Sequence, residues 1–375
     1  MTQGEGMPTS TVRSRRLLAS TGTVVVVLTA STLAAAPLAS ADPPPFWPVV
    51  AQGLDNPRQL SFTGDTLYVA EAGVGGGGPC IDGPEGPACF GLSGAITRIS
   101  GDHQSRVLTE LPSLAGEGGG GATGPADVSV TGTQRYAVTI GLGNEPEVRH
   151  DLPPAGNQLG TLVTGTFANS GPRLTADLAS YEESEDPDGA GADSNPTGLI
   201  AQRGGYVMTG SGGNTLVSAR GGHVSTLAVF PARILPPGTP QPPGGMQAVP
   251  TSVAVGPDGA YYVSQLTGFP FPVGGAAIYR VVPGQVPTVY ASGLTNVTDL
   301  AWSGDELYAV QIADGGLLGA PTGSLLRVGA GPGDQDVVAG GLFAPYGVAL
   351  RGGSAYVTTC SVCAGGGTVI RVPLG

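Results

Sequence analysis

Few residues in this chain are equipped for chemistry, and they lie far apart. All sixteen positive charges are arginines, so neither Schiff-base catalysis nor a P-loop lysine is available. The three histidines, His103, His150 and His223, are isolated from one another, which argues against a histidine-rich metal site. Ser93 sits in "GLSGA", which does not complete the pattern of a nucleophile elbow. What remains is a pair of aspartates, Asp127 in "PADVSV" and Asp299 in "VTDLAW". Two carboxylates facing one another could hold a hard cation or divide the work of a general acid and a general base. The competing reading is structural: each could accept hydrogen bonds from main-chain amides, or pair with an arginine such as Arg58, at the start of a strand.

The elements that would position these aspartates are repeated. "LTNVTDLAWSGDELYAV" (Leu294 to Val310) matches "LDNPRQLSFTGDTLYVA" (Leu54 to Ala70) at Leu, Asn, Leu, Gly, Asp, Leu and Tyr. Related phrases begin at Pro125, Pro196, Pro250 and Pro345, so six copies start at 57, 125, 196, 250, 297 and 345. The last three intervals, 54, 47 and 48 residues, fit four strands each. Short runs rich in Val, Tyr and Thr, separated by glycine turns such as "GPDGA" and "RGGS", read as strands and hairpins. Many of these runs are apolar on both faces, as in sheets packed between neighbouring sheets.

The expectation is an all-β, six-bladed β-propeller with four strands per blade. The sixth copy contains only three strands, ending in "TVIRVPLG", and "WPVVAQ" (Trp47 to Gln52) precedes the first copy. That N-terminal strand is expected to complete the last blade and leave no open edge. The third residue of each copy, Gln59, Asp127, Gly198, Ser252, Asp299 or Gly347, falls near the start of an innermost strand, beside the central channel. Asp127 and Asp299 then stand on opposite blades, with Arg58, Gln59 and Ser252 as further channel-lining candidates. Glu71, Gln265 and Gln311 end the second strands and are placed near one mouth of the channel.

Residues 1–41 read as a signal peptide: Arg13, Arg15 and Arg16, an apolar run from Leu17 to Ala36, and "ASA" before Asp42. Residues 42–375 form the propeller domain. No later segment is apolar enough to span a membrane, so the expected location is secreted or in the cell envelope. Four cysteines in an exported chain read as disulfides. Cys80 with Cys89 and Cys360 with Cys363 are the close pairs. Crossed pairing stays open, because the two pairs fall on neighbouring blades. The net charge of −12 argues against nucleic acid as a partner. "YEESEDPDGAGAD" (Tyr181 to Asp193) does not fit an EF-hand, since Pro187 follows the first Asp and the closing Glu is missing. A solvated acidic loop is expected there.

Three segments carry a resemblance to a known family. "GPCIDGPEGPACFGLSGAITRI" (Gly78 to Ile99), "EDPDGAGADSNPTGL" (Glu185 to Leu199) and "LTGFPFPVGGAAIYRV" (Leu266 to Val281) resemble the ScyD/ScyE family of exported bacterial propellers. The resemblance extends over roughly Phe46 to Gly375. It implies a six-bladed propeller and export, with no settled activity. Relatives carry "ADAGGN" where this chain has "MTGSGGN" (Met208 to Asn214), without the Asp, and often glutamate where it has Gln265 and Gln311; Glu71 keeps its acid.

Together these readings favour a non-catalytic, monomeric exported scaffold that binds a small molecule or an extracytoplasmic protein, with no cofactor. The alternative is a calcium-dependent hydrolase or lactonase of the gluconolactonase type, with the ion on Asp127 and Asp299. A quinone-dependent sugar dehydrogenase fits poorly, given the missing lysine and the lack of histidine at any strand start.

Overall fold

Each repeated phrase folds as an innermost strand and its hairpin partner. The computed structural model describes residues 47–375 apart from 84, 85 and 133; the expected signal peptide lies outside them. The innermost strands are Pro57–Thr63, Pro125–Thr131, Pro196–Gln202, Pro250–Val255, Val297–Ser303 and Val348–Arg351. Each opens one of six small antiparallel sheets, and the sheets form a six-bladed β-propeller with four main strands per blade. Blade six closes as the truncated last repeat requires. Val49–Leu54 pairs antiparallel with Gly367–Pro373, the third strand of that blade.

Apolar cores fill the gaps between neighbouring blades. Tyr68, Ile96 and Leu111 of blade one meet Val128, Val138 and Val163 of blade two. Equivalent clusters lie between blades two and three, three and four, four and five, and five and six. At the closure, Ala51, Leu54 and Val369 pack on Leu60, Leu67 and Val69. Strands buried on both faces follow from this arrangement. Blade edges are also protected: Gly331–Pro332, in the hairpin of blade five, pairs in parallel with the outer strand of blade four.

Because strands alternate in direction, the hairpin turns within a blade take opposite faces. Tight turns such as Gly64–Asp65 and Gly352–Gly353 occupy one face. The other face, where the innermost strands begin, carries the long second-to-third-strand loops and the connections between blades. Both disulfides are on it. Cys80 and Cys89 join across a hairpin, and Cys360 bonds to Cys363, so the crossed alternative does not form. Two bridges of this kind fit an oxidising compartment. Among the described residues no helix is long and apolar enough to cross a membrane.

The loop face also carries the helical pieces that strand periodicity does not show. Pro146–Asp151 and Pro154–Gln158 are 3₁₀ turns and Leu178–Glu185 is an α-helix capped by Asp177, whose side chain accepts from Ser180 N. This helix takes up the start of the acidic stretch that the sequence presented as a solvated loop, and it buries Glu182.

Candidate functional site

At the third residue of nearly every innermost strand the pairing with the second strand slips, between Pro57 and Leu60, Pro125 and Asp127, Pro196 and Leu199, Pro250 and Val253, and Val297 and Asp299. A bulge re-aims the side chain at that position. In four blades a hydroxyl on the second strand takes up the freed amide. Thr139, Thr209, Ser264 and Thr358 accept from the amides of Asp127, Gly198, Ser252 and Gly347 at 2.7–3.1 Å.

The third-position residues then form a two-fold pattern around the ring, Gln59–Asp127–Gly198 and Ser252–Asp299–Gly347. Asp127 accepts from Val128 N at 2.6 Å and, on the next blade, from Leu199 N at 2.8 Å. Asp299 accepts from Leu300 N at 2.8 Å and, on the next blade, from Val348 N at 2.7 Å. Its first oxygen also accepts from the Ser252 hydroxyl at 2.6 Å, which ties in blade four. Each aspartate therefore clips its blade to the following one. The glycine on that following blade lies at the next joint around the ring. A methyl group on Gly198 would stand 2.6 Å from Ser252 Cα, and one on Gly347 would stand 2.7 Å from the Arg58 carbonyl. Gly198→Ala is accordingly expected to wedge blades three and four apart at a cost of about 1–3 kcal/mol. Gly171→Ala, with nothing within 4 Å of the added carbon, should change little. Urea unfolding of the two variants measures the contrast.

Hydroxyls complete the seams. Thr251 donates to Val297 O at 2.7 Å, Thr298 to Tyr346 O at 2.6 Å and Thr358 to Arg58 O at 2.9 Å. Gln59 crosses the ring. Its amide nitrogen reaches Thr251 O at 3.0 Å and Thr298 O at 3.1 Å on blades four and five, and the residue is only 1% exposed. Its Oε1 is buried without a partner. Arg58 does not pair with either aspartate; it donates to Ala122 O at 2.5 Å and lies 4.7 Å above the Tyr346 ring.

Burial controls the charge of this centre. It pushes Asp127 well above the usual carboxylate range, the charge of Asp299 across the channel adds to the push, and the amides of Leu199 and Val128 oppose it. Asp127 is partly exposed. Asp299, 5% exposed, is pushed up to about 7 by burial, against the opposing donors Ser252, Val348 and Leu300. Burial raises Tyr346 too. Donors favour the charged carboxylate and desolvation favours the neutral acid; desolvation dominates at both sites. With both oxygens of each carboxyl already accepting hydrogen bonds from the protein, a substrate or a cation would have to displace those donors.

Glu71, Gln265 and Gln311 turn into their own blades. Glu71 accepts from Asp55 N at 2.8 Å and from Thr97 Oγ1 at 2.5 Å, and pairs with Arg106 at 2.6 Å. Gln311 accepts from Thr295 N at 2.7 Å, the equivalent loop position before the fifth repeat, and Gln265 accepts from Ala277 N at 3.1 Å. Glutamate at position 71 and glutamine at 265 and 311 thus each serve as the acceptor for a main-chain amide.

No known family matches the sequence, and no curated protein does. Solved structures are similar at low identity. A Bacteroides thetaiotaomicron protein of unknown function is 12% identical, with 86% of this chain and 70% of that one covered and a TM-score of 0.49. Virginiamycin B lyase from Staphylococcus aureus is 11% identical, with 87% and 96% covered and a TM-score of 0.44. A putative oxidoreductase (glucose dehydrogenase) from Thermus thermophilus is 16% identical, with 87% and 98% covered and a TM-score of 0.34. At these distances no function transfers to this chain, and the architecture rests on the sheets themselves.

Proposed function

We propose that this chain is an exported, non-catalytic propeller of the ScyD/ScyE type that binds an extracytoplasmic partner through its loop face. One observation carries the reading: the acids beside the channel are committed to holding blade to blade. Asp127 and Asp299 together take five hydrogen bonds, and Gln59 bridges the channel. A reacting group would have to displace the joints of the ring. The two disulfides agree with export.

The loop face, by contrast, offers unspent surface. Ile234, Val273 and Leu318 are 74%, 66% and 72% exposed, with Phe269 beside them. Their loops touch one another: Arg233 donates to Gly275 O, and Gly316 packs against the Phe271 carbonyl. Exposed apolar side chains gathered on abutting loops mark an interaction surface.

The test is crosslinking capture from the extracytoplasmic fraction of the source cells. Wild type captures a defined partner. A triple variant, Ile234→Ser with Val273→Ser and Leu318→Ser, loses it. Val286→Ser, on an 85% exposed turn of the opposite face, keeps it. Capture that the triple variant retains would contradict the reading, as would turnover of lactones that disappears with Asp127→Asn or Asp299→Asn.

A further inference from the structure

The acids between blades two and three form a cluster that the surrounding protein leaves unneutralised. Glu182, on the helix Leu178–Glu185, is 2% exposed. Its Oε2 has no hydrogen-bond partner, and Oε1 has only the Thr215 hydroxyl at 3.4 Å. Asp193 likewise buries an Oδ1 without a partner. Both carboxylates surround one short turn of blade three. A carbon added to Gly212 would stand 2.6 Å from Asp193 Oδ1, and one added to Gly213 would stand 2.3 Å from both oxygens of Glu182. The next residue, Asn214, donates to Asp188 Oδ2 at 2.7 Å. Three consecutive residues therefore meet three different carboxylates, and successive Cα atoms are only about 3.8 Å apart.

No ion pair among the described residues includes Glu182, Asp186, Asp188 or Asp193. Burying Glu182 beside half-buried acids without a counter-charge is costly. Burial raises Glu182 to about 7, with Asp188, Asp186 and Asp193 adding to the rise and Thr215 opposing it, and burial likewise raises Asp193, with Asp188 and Glu145 adding. A proton on Oε2 would have no acceptor within hydrogen-bonding reach, whereas a cation would be attracted to several of these carboxylates at once.

We propose that Glu182, Asp188 and Asp193, gathered around the turn Gly212–Asn214, bind a calcium ion that fastens the connection between blades two and three to blade three. Among the described residues no three acidic, histidine or cysteine side chains already converge as a ready-made metal centre. Main-chain carbonyls and water would complete the shell, which suits calcium, with its six to eight oxygens in flexible geometry, better than the strict octahedron of magnesium. This inference is independent of the partner proposed above.

Calorimetry on the EGTA-stripped mature protein, titrated with calcium chloride and then with magnesium chloride, tests it alongside melting curves. Wild type should bind one calcium per chain, prefer it to magnesium, and melt several degrees higher in calcium than in EGTA. Glu182→Gln and Asp188→Asn should each lose that response. Glu183→Gln, which removes an exposed charge from the same helix, should keep it. Should Glu182→Gln fail to fold, Asp188→Asn and the wild-type titration decide the matter. Absence of calcium binding to wild type would overturn the proposal. So would a response that survives both cluster variants, or one that Glu183→Gln abolishes equally.

Discussion

Deleting residues 47–52 from the mature protein is expected to unfold the ring as a whole rather than fray one end. The deletion removes most of Val49–Leu54, and with it the pairing of Val49, Ala51 and Gln52 to Ile370, Val369 and Thr368. It strips Ala51 and the partly buried Val50 from the core shared by blades six and one, and Trp47 from the core shared by blades five and six. Lost apolar burial and ladder hydrogen bonds together are on the order of 5 kcal/mol, comparable to the whole stability of many domains. The strand Gly367–Pro373 would also become an exposed edge, prone to pair with other chains. Differential scanning calorimetry and size-exclusion chromatography read both consequences. The truncated protein should melt several degrees lower, at about 1–2 °C per kcal/mol for a domain of this size, and should aggregate. Melting within a degree or two of the intact protein would show that the ring does not depend on this closure.

Much of this architecture was legible because a propeller repeats its requirements. Each blade needs an inner strand, a tight turn and an aromatic second strand, so the six copies share one pattern along the sequence. The short last copy and the stray strand at Val49 even revealed the closure. The joints between blades were harder to read. Their signal was present: "YAVT", "YVMT", "YYVS" and "AYVT" end in the hydroxyls that accept from the third-position amides, and a glycine follows one blade after each of Asp127 and Asp299. A hydroxyl inside a strand looks ordinary until a bulge leaves an amide for it, so the pattern acquires meaning only in three dimensions. Glu71, Gln265 and Gln311 were similarly ambiguous, because proximity to a strand end does not say which way a side chain turns. The acidic stretch was misread for a plainer reason. Charge composition predicts solvation, yet the N-cap Asp177 starts a helix that carries Glu182 inward.

The central claim is that Asp127 and Asp299 are structural clips whose carboxyls burial makes easier to protonate, and Asp299→Ala tests it with a large effect. Removing this carboxyl leaves the amides of Leu300 and Val348 and the Ser252 hydroxyl without their acceptor. Each buried donor left unpaired costs about 1–3 kcal/mol, so melting should fall by on the order of ten degrees. The pH dependence gives the claim its sharpest form. Burial raises Asp299 from an ordinary 3.8 to about 7 in the folded protein, so the folded state binds the proton more tightly than the unfolded chain. That contribution to stability is fully present below about pH 4 and is lost as pH rises through about 7. Asp127 is shifted in the same direction. Asparagine at position 299 cannot titrate and sets its amide group against the Val348 N–H. The most direct measurement is therefore the melting temperature of wild type, Asp299→Asn and Asp299→Ala at intervals from pH 4 to pH 8. Wild type should exceed both variants most at pH 4 to 5, with the gap narrowing steadily towards pH 8. A gap that widens with pH would mean that Asp299 works as a charged carboxylate, and a gap near zero throughout would mean that it does not hold the blades together.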